Sequence, residues 1–486
     1  LSAEPSPIVT ILALAFLLRV VVALSVPNIL APDEVFQFLE QAHRLVYGQG
    51  IVPWEYQIGL RNWLIPLALA LPMALNKVLG FSPLAGLMLI RVLLCIASLG
   101  IVWAGAKWGE RFYGRQGLWI AGLFCALWPD LWVFAPHPLE EVLSADVMVP
   151  AIYLAGTART PRRTAAAAFL LGLTFVLREQ LAPAIAIAGI ALCRRDRTRW
   201  ALALPIAAIP VFAAGGLDWF TWGQPFRSFW LNIDVNVFHG VAAATFGASP
   251  AGFFVYLLSI DWLWTLPVIV YLAWRGARLL PVAGFAALSI LLTHTLISHK
   301  ELRFIFPAIA LAVPLAGLGL SGLLATNKVR LKQLALGLCL LVGPLVSPWP
   351  WFLLDLHANS ARAFEDLAAR HVTLVAVQPL NDSYLPLDIL LPATARLTVQ
   401  AGPDADAIVF TRPGPDVPAG FARVACYKSS WIPLASNQNP GFCSYINANP
   451  APSIAPSIPF TFPFPAAALP FKIPDRLTDE TSHHSP

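Results

Sequence analysis

Charge is what this 486-residue chain most lacks: Asp, Glu, Lys and Arg together make up 12% of it. A soluble surface carries roughly twice that share, so a soluble enzyme, a nucleic-acid-binding module and a disordered scaffold are excluded. Cysteine is sparse too, six in all, with no CxxC or other metal spacing. Cys95, Cys125, Cys193 and Cys339 fall in or at the ends of apolar runs and read as small buried hydrophobes. Cys426 and Cys443, in the more polar C-terminal part, are able to form a disulfide. No P-loop, GxGxxG or HExxH is present, and no repeat of solenoid type.

Apolar residues fill the chain instead, at 57%, with a mean hydropathy of +0.67. Residues 8–26, 84–106, 279–298 and 304–324 are almost uncharged over roughly the length a helix needs to cross a hydrocarbon core. A polytopic, all-α membrane protein is expected. The first stretch is a full-length span followed by Pro32-Asp33-Glu34 rather than a small-residue cleavage site, so it reads as a crossing and not as a signal peptide. Five basic clusters, Lys107–Arg115, Arg159–Arg163, Arg194–Arg199, Arg275–Arg278 and Lys328–Lys332, belong in the cytoplasm by the positive-inside bias. Satisfying all five predicts about eleven transmembrane helices. They run over 8–26, 84–106, 117–134, 143–157, 164–178, 181–193, 201–216, 252–274, 279–298, 304–324 and 331–349. Residues 64–80, with Pro66, Pro72 and Lys77, are expected to be a re-entrant or interfacial helix.

The opposite face then receives residues 27–63, 135–142, 178–182, 217–250 and 299–303, and everything after 350. Nearly all reactive side chains gather there. Ser360–Arg370 reads as an amphipathic helix, and Val372–Val377, Ala407–Thr411 and Phe421–Tyr427 read as strands. A small outward α/β domain is expected over 351–446, with a Pro-rich extended or disordered tail over 447–486.

Asp33 and Glu34 directly follow the first span, at the membrane–water boundary, where a carboxylate can act as a base. Glu40 and His43 are three apart and can face the same way on a helix; Trp54, Glu55 and Arg61 follow within the same loop. A solvated interfacial loop anchored by Trp and Tyr is the plainer alternative. Ser298-His299-Lys300-Glu301-Leu302-Arg303 places three basic side chains between two crossings, against the positive-inside trend. A phosphate site justifies that cost, since Arg offers a bidentate fork and Lys a point charge; a turn closed by Glu301 with Lys300 or Arg303 is the alternative. The loop containing Asp218, Asn232 and Asn236 has the amides and aromatics that suit sugar recognition. Arg178-Glu179-Gln180 reads as a paired helix tip. Asp404-Ala405-Asp406 looks like the metal and nucleotide-sugar motif of soluble glycosyltransferases, but it lies far in sequence from the other candidates.

The Pro-Asp-Glu…Phe-Gln…Glu…His…Tyr-Gly-Gln-Gly…Trp-Glu…Gly-Leu-Arg-Asn block and the His-Lys-Glu-Leu-Arg-Phe-Ile-Phe-Pro block resemble glycosyltransferase family 22, the α-mannosyltransferases of N-glycan and GPI-anchor assembly. The resemblance spans about residues 8–325 and implies a fold of GT-C type over 1–350. It also implies a polyprenyl- or dolichyl-phosphate-mannose donor, a lipid-linked glycan or glycolipid acceptor, and inversion at the anomeric carbon. Asp33 would be the base, with Glu34 beside it. His299, Lys300, Arg303 and Arg61 would hold the donor phosphate. Glu40, His43, Trp54, Glu55, Asp218, Asn232 and Asn236 would meet the sugar or acceptor. No cofactor, metal or nucleic acid is implied.

The chain departs from the family pattern at 135–141, where only Glu140 is retained, and at Pro53 and Tyr56; these departures bear on acceptor recognition. Its Ala- and Arg-rich loops and lack of an ER-retention signal favour a bacterial inner membrane over the endoplasmic reticulum, with the site extracytoplasmic. A GT-C enzyme using another lipid-phosphate sugar is one rival. A transporter or lipid flippase is the other, prompted by Arg19, Arg91 and Arg178 in or near spans.

Overall fold

The computed structural model describes residues 6–325, 330–378, 388–391, 395–398, 405–410, 420–427 and 442–447. Lys328, Asp404, Thr411 and the expected tail after Asn447 lie outside the described residues. The chain divides into two compact units. One comprises Leu1–Val22, Val92–Phe226 and Gly240–Pro350; the other comprises Ala23–Arg91, Arg227–His239 and Trp351–Pro486.

The first unit is helical. Its helices begin where apolar runs follow a proline or a capping side chain. Pro161 and Pro281 open their helices, where a missing N–H costs nothing. The Asp196 carboxylate accepts from the Thr198 and Arg199 amides to start Arg197–Trp222, and left-handed Gly223 ends it. The 45-residue run Pro83–Leu127 is two helices joined at Tyr113 and Gly114, inside the first basic cluster. The expected span 252–274 falls on Phe253–Leu279, a stretch long and apolar enough to cross a bilayer, with a kink at Leu263, which has φ +48°.

Among the described residues five helices are long and apolar enough to cross a bilayer, or six if one bent pair counts as a span. The remaining expected crossings fall on the second half of Pro83–Leu127, on Glu140–Thr157, which carries three acids, and on helices of 17 residues or fewer. Helix Phe306–Ala325 is buried along almost its whole length and forms the centre of this unit. It packs backbone to backbone on Leu266–Leu279: a Cβ at Gly276 would collide with the Leu315 carbonyl, and one at Gly319 with the Leu272 carbonyl. Small residues permit that approach where burial of apolar surface gives helices no reason to associate in lipid. Arg19, fully buried, donates to the Ala15 and Ala126 carbonyls at 3.1 and 3.2 Å and to Ser98 Oγ at 3.1 Å.

The second unit combines short helices with a sheet. A π-helical turn, Glu34–Leu39, runs into helix Glu40–Tyr47, followed by Trp54–Ile58 and Leu64–Val78. Arg91 ties the chain after the first span by donating to the Ala23, Val26 and Asn28 carbonyls at 3.2, 3.1 and 2.6 Å. Five strands, β1 Leu374–Gln378, β2 Arg396–Thr398, β3 Ala407–Phe410, β4 Phe421–Tyr427 and β5 Phe442–Asn447, form a sheet in the order β2-β1-β3-β5-β4. β1 runs parallel to β2 and β3, while β5 is antiparallel to β3 and β4. Helix Ala358–Ala369 buries Phe364 and Leu367. A disulfide joins Cys426 to Cys443, which face each other across β4 and β5.

Candidate active site

The site residues read from the sequence fall in both units. In the second unit, Asp33 is partly exposed and Glu34 is buried. Glu34 Oε1 accepts from the Leu30 amide at 2.9 Å, which closes the turn that delivers Asp33. Gln37, one turn on, donates from Nε2 to Asp33 Oδ1 at 2.9 Å and to Glu55 Oε1 at 3.0 Å. Two carboxylates offer only acceptors, so the amide nitrogen must be the atom facing them. The Glu55 carboxyl is raised above its ordinary range, first by burial and further by Asp33, with Arg61 opposing. Tyr56 donates its hydroxyl to the Gln37 carbonyl at 2.9 Å and sets its ring edge-on to Trp63. Trp54 and Arg61 are partly exposed beside this group.

Glu40 and His43 sit deeper than expected. Glu40 is fully buried and accepts from the Ile51 amide at 3.4 Å and the Ile389 amide at 3.2 Å. His43 Nδ1 is 2.9 Å from the Gln49 carbonyl, and burial lowers its pKa to about 4. Both therefore brace the chain around the Gly48-Gln49-Gly50 turn. Gly50 is required there: it has φ +150°, and a Cβ would lie 2.6 Å from Arg44 Cγ and 3.1 Å from the Glu40 carboxylate. Asn232 and Asn236 bond each other at 2.6 Å, next to a π-helical turn at Asp234–Phe238. Turns of this kind recur at functional sites.

In the first unit the basic turn precedes the central helix Phe306–Ala325, which gives it a rigid base. Glu301 is its hub. One carboxylate oxygen takes Arg303 Nε at 2.7 Å; the other takes Arg303 Nη2 at 3.2 Å and His299 Nε2 at 3.0 Å. The other His299 nitrogen, Nδ1, is 3.2 Å from the Gly247 carbonyl. A ring with oxygen acceptors at both nitrogens satisfies them only as imidazolium. The hydrogen bond to Glu301 accordingly raises the His299 pKa. Burial alone would raise Glu301, but the Arg303 charge and the His299 and Arg303 bonds outweigh it and bring Glu301 to about 2.

Lys300 is buried and donates to the Ser249 and Ile297 carbonyls at 3.0 and 2.6 Å, so it staples the preceding loop to the turn. Phe304 lies between two guanidinium groups, Arg303 at 5.3 Å and Arg178 at 5.5 Å from its ring centre. Arg178 in turn pairs with Glu141 at 2.9 Å and reaches Glu140 at 3.9 Å. Asp218 is buried in helix Arg197–Trp222.

Sequence reading missed Gln37 as the bridge between two acids; Arg178, read as a paired helix tip, is paired with Glu141. The signal for Gln37 was an amide four residues after Asp33. Among the described residues no group of three or more His, Cys, Asp or Glu side chains is gathered to hold a metal. Asp406 is a structural acid: one of its oxygens accepts from the Thr373 amide and hydroxyl and from the Leu374 amide, at the start of β1.

A buried central helix and several helices long and apolar enough to cross a bilayer define a multi-pass membrane protein. The model for the Alg9-like mannosyltransferase family matches residues 10–364, and the chain belongs to that family. It is similar to GPI mannosyltransferase 3 of Yarrowia lipolytica, 30% identical over 320 residues, covering 62% of this chain and 60% of that protein. It is also similar to GPI alpha-1,2-mannosyltransferase 3 of Danio rerio, 25% identical over 362 residues, covering 66% and 61%. The chain spans about 60% of the length of such curated relatives. The fold is shared with ArnT from Cupriavidus metallidurans bound to undecaprenyl phosphate, with a TM-score of 0.56 at 14% identity over 93% of this chain and 100% of that one.

Proposed function

We propose that the chain is an inverting α-mannosyltransferase. It moves mannose from a polyprenyl- or dolichyl-phosphate donor to a lipid-linked glycan or glycolipid, on the extracytoplasmic face of a membrane crossed about eleven times. The observation that carries the reading is the cationic turn: a His299 ring bonded at both nitrogens and an Arg fork organised on one carboxylate, mounted on a buried helix. Cations placed where charge develops stabilise a leaving phosphate. Family membership and the undecaprenyl phosphate in the fold relative support the choice of donor.

In the proposed step Asp33 takes the proton of the acceptor hydroxyl as that oxygen bonds to the anomeric carbon. The bond from that carbon to the phosphate oxygen breaks, and its electron pair leaves with the lipid phosphate, met by Arg303 and His299. Single displacement with one base gives inversion, by the logic of inverting glycosidases. Arg61 belongs to the Asp33 side, beside Glu55. Lys300 holds the turn, while Glu34, Glu40 and His43 hold the loop that carries Asp33. Trp54, Asp218, Asn232 and Asn236 remain our sugar or acceptor contacts.

A second reading, transfer of another sugar from a lipid phosphate, draws on the same cationic turn, which would meet the phosphate whatever sugar it carries. A transport path finds less support, since Arg19 and Arg91 are bonded to backbone carbonyls. Membranes containing the chain, incubated with radiolabelled polyprenyl-phosphate-mannose and lipid acceptors, discriminate among the three. Label in a lipid-linked product, lost in Asp33→Asn, is expected. Transfer only from a different lipid-phosphate sugar selects the second reading, and label that crosses the membrane without transfer selects transport.

A further inference from the structure

Asp33 and Glu55 come from separate elements, the turn after the first span and the short helix Trp54–Ile58, yet both meet one amide group. Gln37 is itself buried, and its backbone carbonyl is held by the Tyr56 hydroxyl at 2.9 Å, so the side chain has a fixed root. Two like charges brought to one point repel, and a neutral double donor between them is the least costly way to keep both ionised. A Glu at this position would add a third negative charge, and a Leu would leave both carboxylates short of a donor. Resting on the transferase reading, we propose that Gln37 is a positioning residue. It fixes the orientation of Asp33 as that group receives the acceptor proton, and it makes Glu55 the electrostatic partner of Asp33 rather than a ligand of the acceptor.

Charged groups around the pair come from every neighbouring segment. Arg61 faces Glu55 from the following loop and opposes its protonation. Glu34 points to the Leu30 amide. On helix Glu40–Tyr47, Glu40 bonds the Ile51 and Ile389 amides and Arg44 bonds Gln41 at 2.6 Å. Lys77 of helix Leu64–Val78 donates to the Val46 carbonyl, and Arg227 to that of Ile58. Glu55 and Asp33 are the two acids that share an amide.

The test compares full-length wild type with Gln37→Leu, Glu55→Gln and the double variant, each first checked for a wild-type melting temperature in detergent. The pH dependence of kcat/KM is measured with polyprenyl-phosphate-mannose. Gln37→Leu is expected to lose roughly 10- to 100-fold, the scale of a misoriented catalytic group, and to move the acid limb of the profile to higher pH. Adding Glu55→Gln should return that limb toward wild type, because the second charge is gone. An unmoved limb in Gln37→Leu, or a double variant whose losses simply multiply, overturns the proposal.

A second readout needs no turnover. In infrared titration the Glu55 protonation midpoint should rise in Gln37→Leu and fall in Asp33→Asn. An unchanged midpoint in Gln37→Leu refutes the coupling. Shifted midpoints in a chain that transfers no mannose leave the coupling standing and count against the transferase reading alone.

Discussion

Replacing Arg303 separates what the cationic turn does for folding from what it does for transfer. In the folded chain the guanidinium makes a bidentate pair with Glu301 at 2.7 and 3.2 Å and lies 5.3 Å from the Phe304 ring centre. The Glu301 side chain is 38% exposed, so solvent screening keeps the ion pair near the modest value of surface pairs, at most about 1 kcal/mol. The ring contact adds about 0.5–1 kcal/mol. Arg303→Ala should therefore cost at most about 2 kcal/mol of stability, a fraction of the roughly 5–15 kcal/mol typical of folded proteins, and leave the chain folded.

Loss of a donor aimed at developing charge is larger, about 3–4 kcal/mol or 10²- to 10³-fold in rate. Arg303→Lys keeps the charge without the fork and should fall between, about 10-fold down. Single-turnover transfer from labelled polyprenyl-phosphate-mannose, run alongside thermal unfolding in detergent, measures both quantities. An Arg303→Ala chain that melts about where the stability cost predicts yet transfers within about 3-fold of wild type would refute the phosphate role.

The pH dependence of the same turn has a definite sign. His299 is raised above its ordinary 6.5 by Glu301, so the stability of that pair is full below 6.5 and is lost as pH rises through the elevated value. Glu301, lowered from 4.5 to about 2, contributes fully above 4.5 and loses its contribution as pH falls toward 2. Transfer should therefore decline on the alkaline side in wild type, and His299→Gln should remove that limb while lowering the plateau. In the sheet, Asp406→Ala deprives Thr373 and Leu374 of their acceptor and should cost about 1–2 kcal/mol, measured by limited proteolysis, without creating or abolishing any response to added divalent metal. Separating Cys426 from Cys443, 17 residues apart, should lower the stability of β4 and β5 by about 3 kcal/mol, and Cys443→Ser should transfer mannose at the wild-type rate.

Hydrophobic runs placed the long helices Pro7–Ser25, Arg197–Trp222 and Phe306–Ala325, because in a membrane the backbone must satisfy its own hydrogen bonds and the apolar segments have few alternatives. One break was harder to see. Leu263 with its positive φ has no turn-forming residue to announce it, whereas the joint at Tyr113-Gly114 falls inside the basic cluster Lys107–Arg115, where a break was expected. Strands β1, β3 and β4 were legible as apolar runs between turn residues. β2, three residues long, and β5 were not, since their pairing depends on partners distant in sequence.

For the proposed site, residue types pointed to Asp33 and the turn at 299–303, while burial and hydrogen bonding distinguish the surroundings of each side chain. Glu40 and Lys300 look on paper as reactive as Asp33 and Arg303. Only the three-dimensional arrangement shows that main-chain groups occupy them. Gln37 escaped notice for the converse reason: an amide has no charge to attract attention, and its importance comes from the two acids it meets.

The most direct measurement uses a polyprenyl phosphate carrying a photoreactive group next to the phosphate. It is crosslinked to the full-length chain in its own membrane and mapped by mass spectrometry. Adducts in both the loop from Asp33 to Trp63 and the turn from His299 to Phe304, competed away by unlabelled polyprenyl-phosphate-mannose, are expected if carboxylate and cations serve one donor. Adducts in only one of these segments, or spread along lipid-facing helices without competition, would contradict the proposed transfer step.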